Sequence, residues 1–183
     1  MGHEIERKYL TSGNGWQSGV SEVSDMRQAY LATTERASVR VRIKDDATAF
    51  LAIKSAEAGR SRLEFEYPIA VEEAQALLEL RVGHIVEKRR HIVVVDGNRW
   101  EVDVFHGALG GLVIAELELN DAEQSFHIPD WIGEEVTHDR RYYNACLALE
   151  GLPGDCWTDF TNPPASAAKL RLQAPQPHRL AAA

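Results

Sequence analysis

Along most of the chain, hydrophobic and polar positions alternate with a period of two, which marks strands with two unlike faces. Val39, Val41 and Ile43 alternate with Arg40, Arg42 and Lys44, and Leu51 and Ile53 are followed by Lys54. Leu63, Phe65 and Tyr67 alternate with Glu64 and Glu66, Trp100, Val102 and Val104 with Glu101 and Asp103, and Ala115, Leu117 and Leu119 with Glu116 and Glu118. This pattern predicts strands over 3–10, 26–33, 37–44, 48–55, 61–70, 84–95, 99–106 and 112–119. Asp45-Asp46, the hairpin signal Asp96-Gly97-Asn98 and the segment from Gly107 to Gly111 supply turns between them. Two segments read as helices. Residues 71–80 carry Ala74, Leu77 and Leu78 behind an acidic first turn. Residues 139–151 space Tyr143, Cys146, Leu147 and Leu149 in near-helical fashion, with Asp139 as N-cap and Gly151 just past the end. Beyond this the chain turns Pro- and Ala-rich without periodicity. One domain over 1–152 and a flexible tail over 153–183 are therefore expected.

Charges of one sign recur at i and i+2. Acidic pairs are Glu4/Glu6, Glu64/Glu66 and Glu116/Glu118; basic pairs are Arg40/Arg42 and Lys88/Arg90. For any one strand, a solvated face of a sandwich accounts for the alternation. Repeated like-charge pairs on strand after strand weaken that account, because they repel unless something lies between them. A metal ion resolves carboxylate pairs and a phosphate chain resolves basic pairs. Periodicity alone leaves both the enclosed and the exposed arrangement open.

The composition narrows the partners. Twenty Lys and Arg against 28 Asp and Glu give a net charge of −8, which argues against a nucleic-acid binder. A local cation cluster can still hold a small anion. No apolar run of membrane-spanning length occurs, and MGHEIERKYL lacks a signal-peptide core, so a cytoplasmic protein is expected. Cys146 and Cys156 form no CxxC pattern and read as ordinary reduced thiols. His84, His91 and His106 lack zinc-site spacing and read as structural or surface residues. GALGG at 107–111 precedes a strand, so it is a turn and not a phosphate loop.

The motifs EIERK (4–8), VRVR (39–42), LAIK (51–54), RLEFE (62–66), EKRR (87–90), WEVDVFHGALGGLVIAELEL (100–119) and WIGEEVTHDRRYYN (131–144) follow one another in a set order. In that order they resemble the CYTH superfamily, the triphosphate tunnel metalloenzymes, over roughly residues 2–152, and most of all its short single-domain bacterial members. The resemblance implies a mainly β (α+β) fold: an eight-stranded antiparallel β-barrel, the triphosphate tunnel, with a charged interior and flanking helices. It implies Glu4, Glu6, Glu116 and Glu118 as ligands of Mg²⁺ or Mn²⁺. Lys8, Arg40, Arg42, Lys54, Lys88 and Arg90 become a phosphate cradle, Glu64, Glu66 and Asp103 supporting tunnel acids, and Lys8 with Tyr30 the catalytic pair. Ala52 stands where such proteins often carry Thr, and the helix at 139–150 would close one end of the tunnel. The implied activity is divalent-metal-dependent hydrolysis of a small triphosphate, first of all inorganic tripolyphosphate to pyrophosphate and phosphate. Thiamine triphosphatase, a class IV-type adenylate cyclase and a non-catalytic polyphosphate or nucleotide-binding module are the alternatives. The expected partner is the small triphosphate, with no nucleic acid and no membrane; a homodimer is compatible with this reading.

Overall fold

The computed structural model describes residues 5–55, 63–121 and 123–154. Glu4, Cys156 and the expected tail beyond Gly154 lie outside them. The alternating segments become nine strands: β1 (Ile5–Thr11), β2 (Val20–Thr33), β3 (Ala37–Lys44), β4 (Thr48–Ser55), β5 (Glu64–Ile69), β6 (Val82–Val95), β7 (Asn98–Phe105), β8 (Val113–Leu119) and β9 (Ile132–Glu135). They form one antiparallel sheet in the order β5-β4-β3-β2-β6-β7-β8-β1-β9. The β6–β7 turn works as read: Asp96 and Gly97 both take positive φ, at 49° and 78°, as a tight two-residue hairpin turn requires.

The eight-stranded closed barrel is corrected in one respect. The ladder has nine strands, and its end strands β5 and β9 are not paired with each other. The reason lies on β1. Its second edge is taken by β9, with Ser12 N donating to Trp131 O and Val136 N to Lys8 O, so β5 finds no free edge there.

The sheet is nonetheless strongly curled. β2 and β1 stand four strand steps apart, about 19 Å in a flat sheet. Yet Lys8 on β1 acts electrostatically on Tyr30 on β2, and Tyr30 shares one apolar cluster with Ile114 of β8.

Two clusters cover the outer face. Ala29, Val41, Ile43 and Ala49 pack against Ala74 and Leu78 of α1 (Val71–Leu78). Tyr9, Val93, Trp100, Val102, Ala115 and Leu117 pack with Trp16 and Trp131 from flanking segments. A third cluster lies on the inner face: Tyr30, Val86, Phe105 and Ile114 meet Leu147 and Ala148 of α2 (Asn144–Glu150), which closes that end. This contact depends on Gly83. A Cβ there would lie 2.1 Å from Ala148 O, and φ is +73°. Asp139 caps a short 3-10 turn at Arg140–Tyr142 rather than α2 itself, accepting from Arg141 N. Cys146 is buried in α2, and Cys156 lies outside the described residues. No described helix is long and apolar enough to cross a membrane.

Candidate active site

Directly opposed residues of an antiparallel pair share one side of the sheet. From β5 inward, Glu64 and Glu66 stand level with Lys54 and Ala52, and Ala52 with Arg40. Arg40 and Arg42 stand level with Tyr30 and Gln28. Across β2, Met26 and Ser24 face Lys88 and Arg90, and Arg90 faces Asp103. Glu101 then faces Glu116, and Glu116 and Glu118 face Lys8 and Glu6. Every sequence-predicted site residue that is described therefore lies on the inner, charged face.

That face has two walls. On β7, β8 and β1 the buried acids are already paired. Lys8 Nζ bonds Glu116 and lies 2.7 Å from Glu6 Oε1. Lys88 bonds Asp103, which is fully buried. Arg90 grips Asp103 at 2.7 and 2.6 Å, reaches Glu116 at 2.9 Å and also bonds Glu101. Burial alone would lower the Lys8 pKa, but Glu116 and Glu6 outweigh it and raise it well above its usual range. Burial would likewise raise Glu116, and Lys8, Lys88 and Arg90 instead hold it well below the usual carboxylate range.

On β3 and β4 the cations have fewer acid partners. Arg42 meets Glu66 at 2.8 Å and Lys54 meets Glu64 at 3.0 Å. Arg40 lies 3.8 Å from Glu64 and from Glu66, and among the described residues its buried Nε has no hydrogen-bond partner. Burial, with Arg40 and Arg90 nearby, pulls the Arg42 guanidinium below its ordinary value against the opposing pull of Glu66. Burial also pushes the Tyr30 phenol up, so it stays protonated at neutral pH, although Arg40 and Lys8 oppose the shift.

Among the described residues, no group of three or more side chains is gathered as a ready metal site. Glu116 is engaged by Lys8 and Arg90, and Glu6 by Lys8. The donor chemistry nevertheless suits a hard cation. Glu6 and Glu118 stand directly opposite across β1 and β8, an arrangement of like charges that destabilises a strand pair unless a cation joins them.

Two residues of this face were given no site role by the sequence reading. Glu101 alternates in phase with Asp103 and is drawn in by Arg90. Gln28 lies in phase with Tyr30, fully inside the charged face, and carries no charge to advertise itself. His84 and His106 are exposed, and His91 stacks on Trp16 at 5.0 Å.

The CYTH domain family model matches residues 2–143. The chain belongs to the CYTH domain family. This CYTH protein is 46% identical over 148 residues to an inorganic triphosphatase of Acetivibrio thermocellus, covering 80% of this chain and 94% of that one. To an inorganic triphosphatase of Nitrosomonas europaea it is 40% identical over 149 residues, covering 80% and 97%. A crystal structure of an inorganic triphosphatase superposes with a TM-score of 0.63 at 36% identity, covering 81% of this CYTH chain and 96% of that chain.

Proposed function

We propose that this protein is a divalent-metal-dependent triphosphatase that hydrolyses inorganic tripolyphosphate to pyrophosphate and phosphate. The observation that carries this reading is one curled face on which an acid-rich wall stands beside a row of cations, with Arg40 no closer than 3.8 Å to an acid. The likeness to proteins named inorganic triphosphatase supports it. Arg40, Arg42 and Lys54, with Lys88 and Arg90, hold the phosphate oxygens and neutralise charge as the terminal phosphoryl group transfers. Glu4, Glu6, Glu116 and Glu118 would hold the metal, Mg²⁺ or Mn²⁺, as hard oxygen donors. Bound there, such an ion supplies Lewis acidity toward the phosphate oxygens. Glu64 and Glu66 orient the cations of β3 and β4 until the substrate arrives, and Asp103 fixes Lys88 and Arg90. Water attacks the terminal phosphorus, the phosphoanhydride P–O bond breaks and pyrophosphate leaves. Lys8 donates to a reacting oxygen, and the protonated Tyr30 phenol is a second donor beside Arg40.

A substrate panel with purified protein and Mg²⁺ tests the proposal, using tripolyphosphate, thiamine triphosphate and ATP with all products measured. Tripolyphosphate is expected to give the highest kcat/KM, with ATP at least ~10-fold poorer, about 1.4 kcal/mol. Cyclic AMP with pyrophosphate as the main products from ATP would move the protein to the cyclase reading.

A further inference from the structure

Gln28 sits in the middle of the charged face. It stands directly opposite Arg42 on β3, with Arg40 and Lys44 as its diagonal neighbours there and Lys88 diagonal on β6. Its residue exposure is 2%, and among the described residues its buried Nε2 has no hydrogen-bond partner. An unpaired buried amide donor is costly. The surrounding cations cannot relieve it, because Arg and Lys offer only donors. What is missing is an acceptor. Arg40 Nε, one diagonal away on the same face, is buried and unpartnered in the same way. Two adjacent unmet donors, walled by cations, describe a place for an anionic oxygen. A Glu at this position would have neutralised its neighbours, and a Leu would have offered no donor; a neutral amide keeps the positive field and adds a directed N–H.

We propose that Gln28 is a binding residue for the triphosphate chain, donating its amide N–H to a phosphate oxygen between Arg40 and Arg42. This rests on the triphosphatase reading for the identity of the ligand. It assigns Gln28 to binding and not to the reacting bond, because its neighbours on β3 are the cations Arg40, Arg42 and Lys44, while on β6 it faces the apolar Val86.

The test compares wild type with Gln28→Met, which keeps the volume and removes the donor, and with Gln28→Glu, which turns the donor into an anion. Tripolyphosphate binding is measured by calorimetry in metal-free buffer, alongside tripolyphosphate hydrolysis with Mg²⁺ and thermal unfolding without ligand. Gln28→Met is expected to weaken Kd about 10-fold and to raise KM by a similar factor, with kcat changed less than about 3-fold. Gln28→Glu is expected to weaken Kd ~100-fold or more. The ligand-free Tm of Gln28→Met should hold or rise, since an unmet buried donor is gone, and that of Gln28→Glu should rise through pairing with Arg42. Wild-type Kd in Gln28→Met overturns the proposal. So does a lower Tm in both variants with a loss of activity shared between kcat and KM, which marks a packing role. Wild-type protein that binds tripolyphosphate without hydrolysing it sinks the triphosphatase reading alone, and the Kd comparison still decides Gln28. Wild-type protein that does not bind it sinks both.

Discussion

The two walls of the charged face solve the problem of buried charge in opposite ways. On β7, β8 and β1 each buried charge has a partner within the fold: Lys8 with Glu116 and Glu6, Lys88 with Asp103, and Arg90 with Asp103, Glu101 and Glu116. On β3 and β4 the acids come only from β5, the end strand, and Arg40 is held no closer than 3.8 Å. The buried charges of the first wall are paired before any ligand binds and hold it in shape, while Glu6 and Glu118 still face each other at its exposed edge. The second is short of anions and is the place where a polyanion gains most. Desolvated cations without close partners are unfavourable in the empty protein, and the same shortage makes them strong phosphate binders.

Breaking each wall in turn gives the largest expected effects, and they should differ in kind. Asp103→Ala strips both Lys88 and Arg90 of their shared partner in a site with no exposure. It should destabilise the fold by about 3–5 kcal/mol, read as a lower urea midpoint. Arg42→Ala should instead cut kcat/KM by ~100-fold or more, about 2.7 kcal/mol. It should leave ligand-free stability unchanged or slightly higher, because Arg40 and Arg90 both push against this guanidinium. Arg89→Ala, on the outer face and paired with Asp25, is the control and should do little. Equal stability losses for Asp103→Ala and Arg42→Ala would remove the distinction between frame and cradle.

Much of this face was legible in the sequence because its chemistry is written at i and i+2. Once the strands are in register, Lys8, Arg40, Arg42, Lys54, Lys88, Arg90 and the paired glutamates must lie on one side. The residues that escaped carry weaker signals. Gln28 has no charge, and only the unmet donor revealed by packing singles it out. β9 spans four residues, IGEE, without alternation, and pairs with β1 through a register shift between Tyr9 and Thr11. Its position decides which edge of β1 is free, and hence that the ladder stays open. That is a long-range choice no local pattern encodes. Whether the charged face was enclosed or solvated could not be read from periodicity either: the fold buries Lys8, Lys88, Asp103 and Glu116 and leaves Glu6, Glu64, Glu66 and Glu118 exposed.

A smaller effect tests whether the closed end matters to the cradle. Gly83 lets β6 approach the backbone of α2, with no room for a Cβ beside Ala148 O and a positive φ that L side chains avoid. Gly83→Ala should cost about 2 kcal/mol, by clash and by backbone strain. Tyr30 packs in the cluster that α2 completes, so KM for tripolyphosphate should rise while the pairing of Lys88 with Asp103 persists. Unchanged stability would mean that α2 can shift away without loss, and that the inner cluster does not anchor it.

The smallest expected effect lies outside both walls, at the strand that keeps the ladder open. Arg7 on β1 grips Glu135 on β9 with two bonds of 2.6 Å, and Thr137 Oγ1 donates to the same carboxylate at 2.6 Å. The Arg7 hydrogen bond, aided by Thr137, lowers the Glu135 pKa against a slight desolvation that would raise it. A carboxyl lowered in the folded state stabilises the fold above its unfolded value, near 4.3, and loses that contribution as pH falls through the folded value. Both side chains are about one-third exposed, at 35% and 36%, so solvent and salt screen the pair and its contribution should stay below about 1 kcal/mol. Arg7→Ala should therefore lower the urea midpoint slightly at pH 7, and the difference from wild type should shrink on acidification below pH ~4 and in ~1 M salt. Urea titrations of both proteins at pH 7 and pH 3 measure it. A difference that persists unchanged at pH 3 would assign the effect to the packing of the Arg7 stem against Tyr9 and Phe126, where its guanidinium lies 6.0 and 5.8 Å from the ring centres, and not to the ion pair.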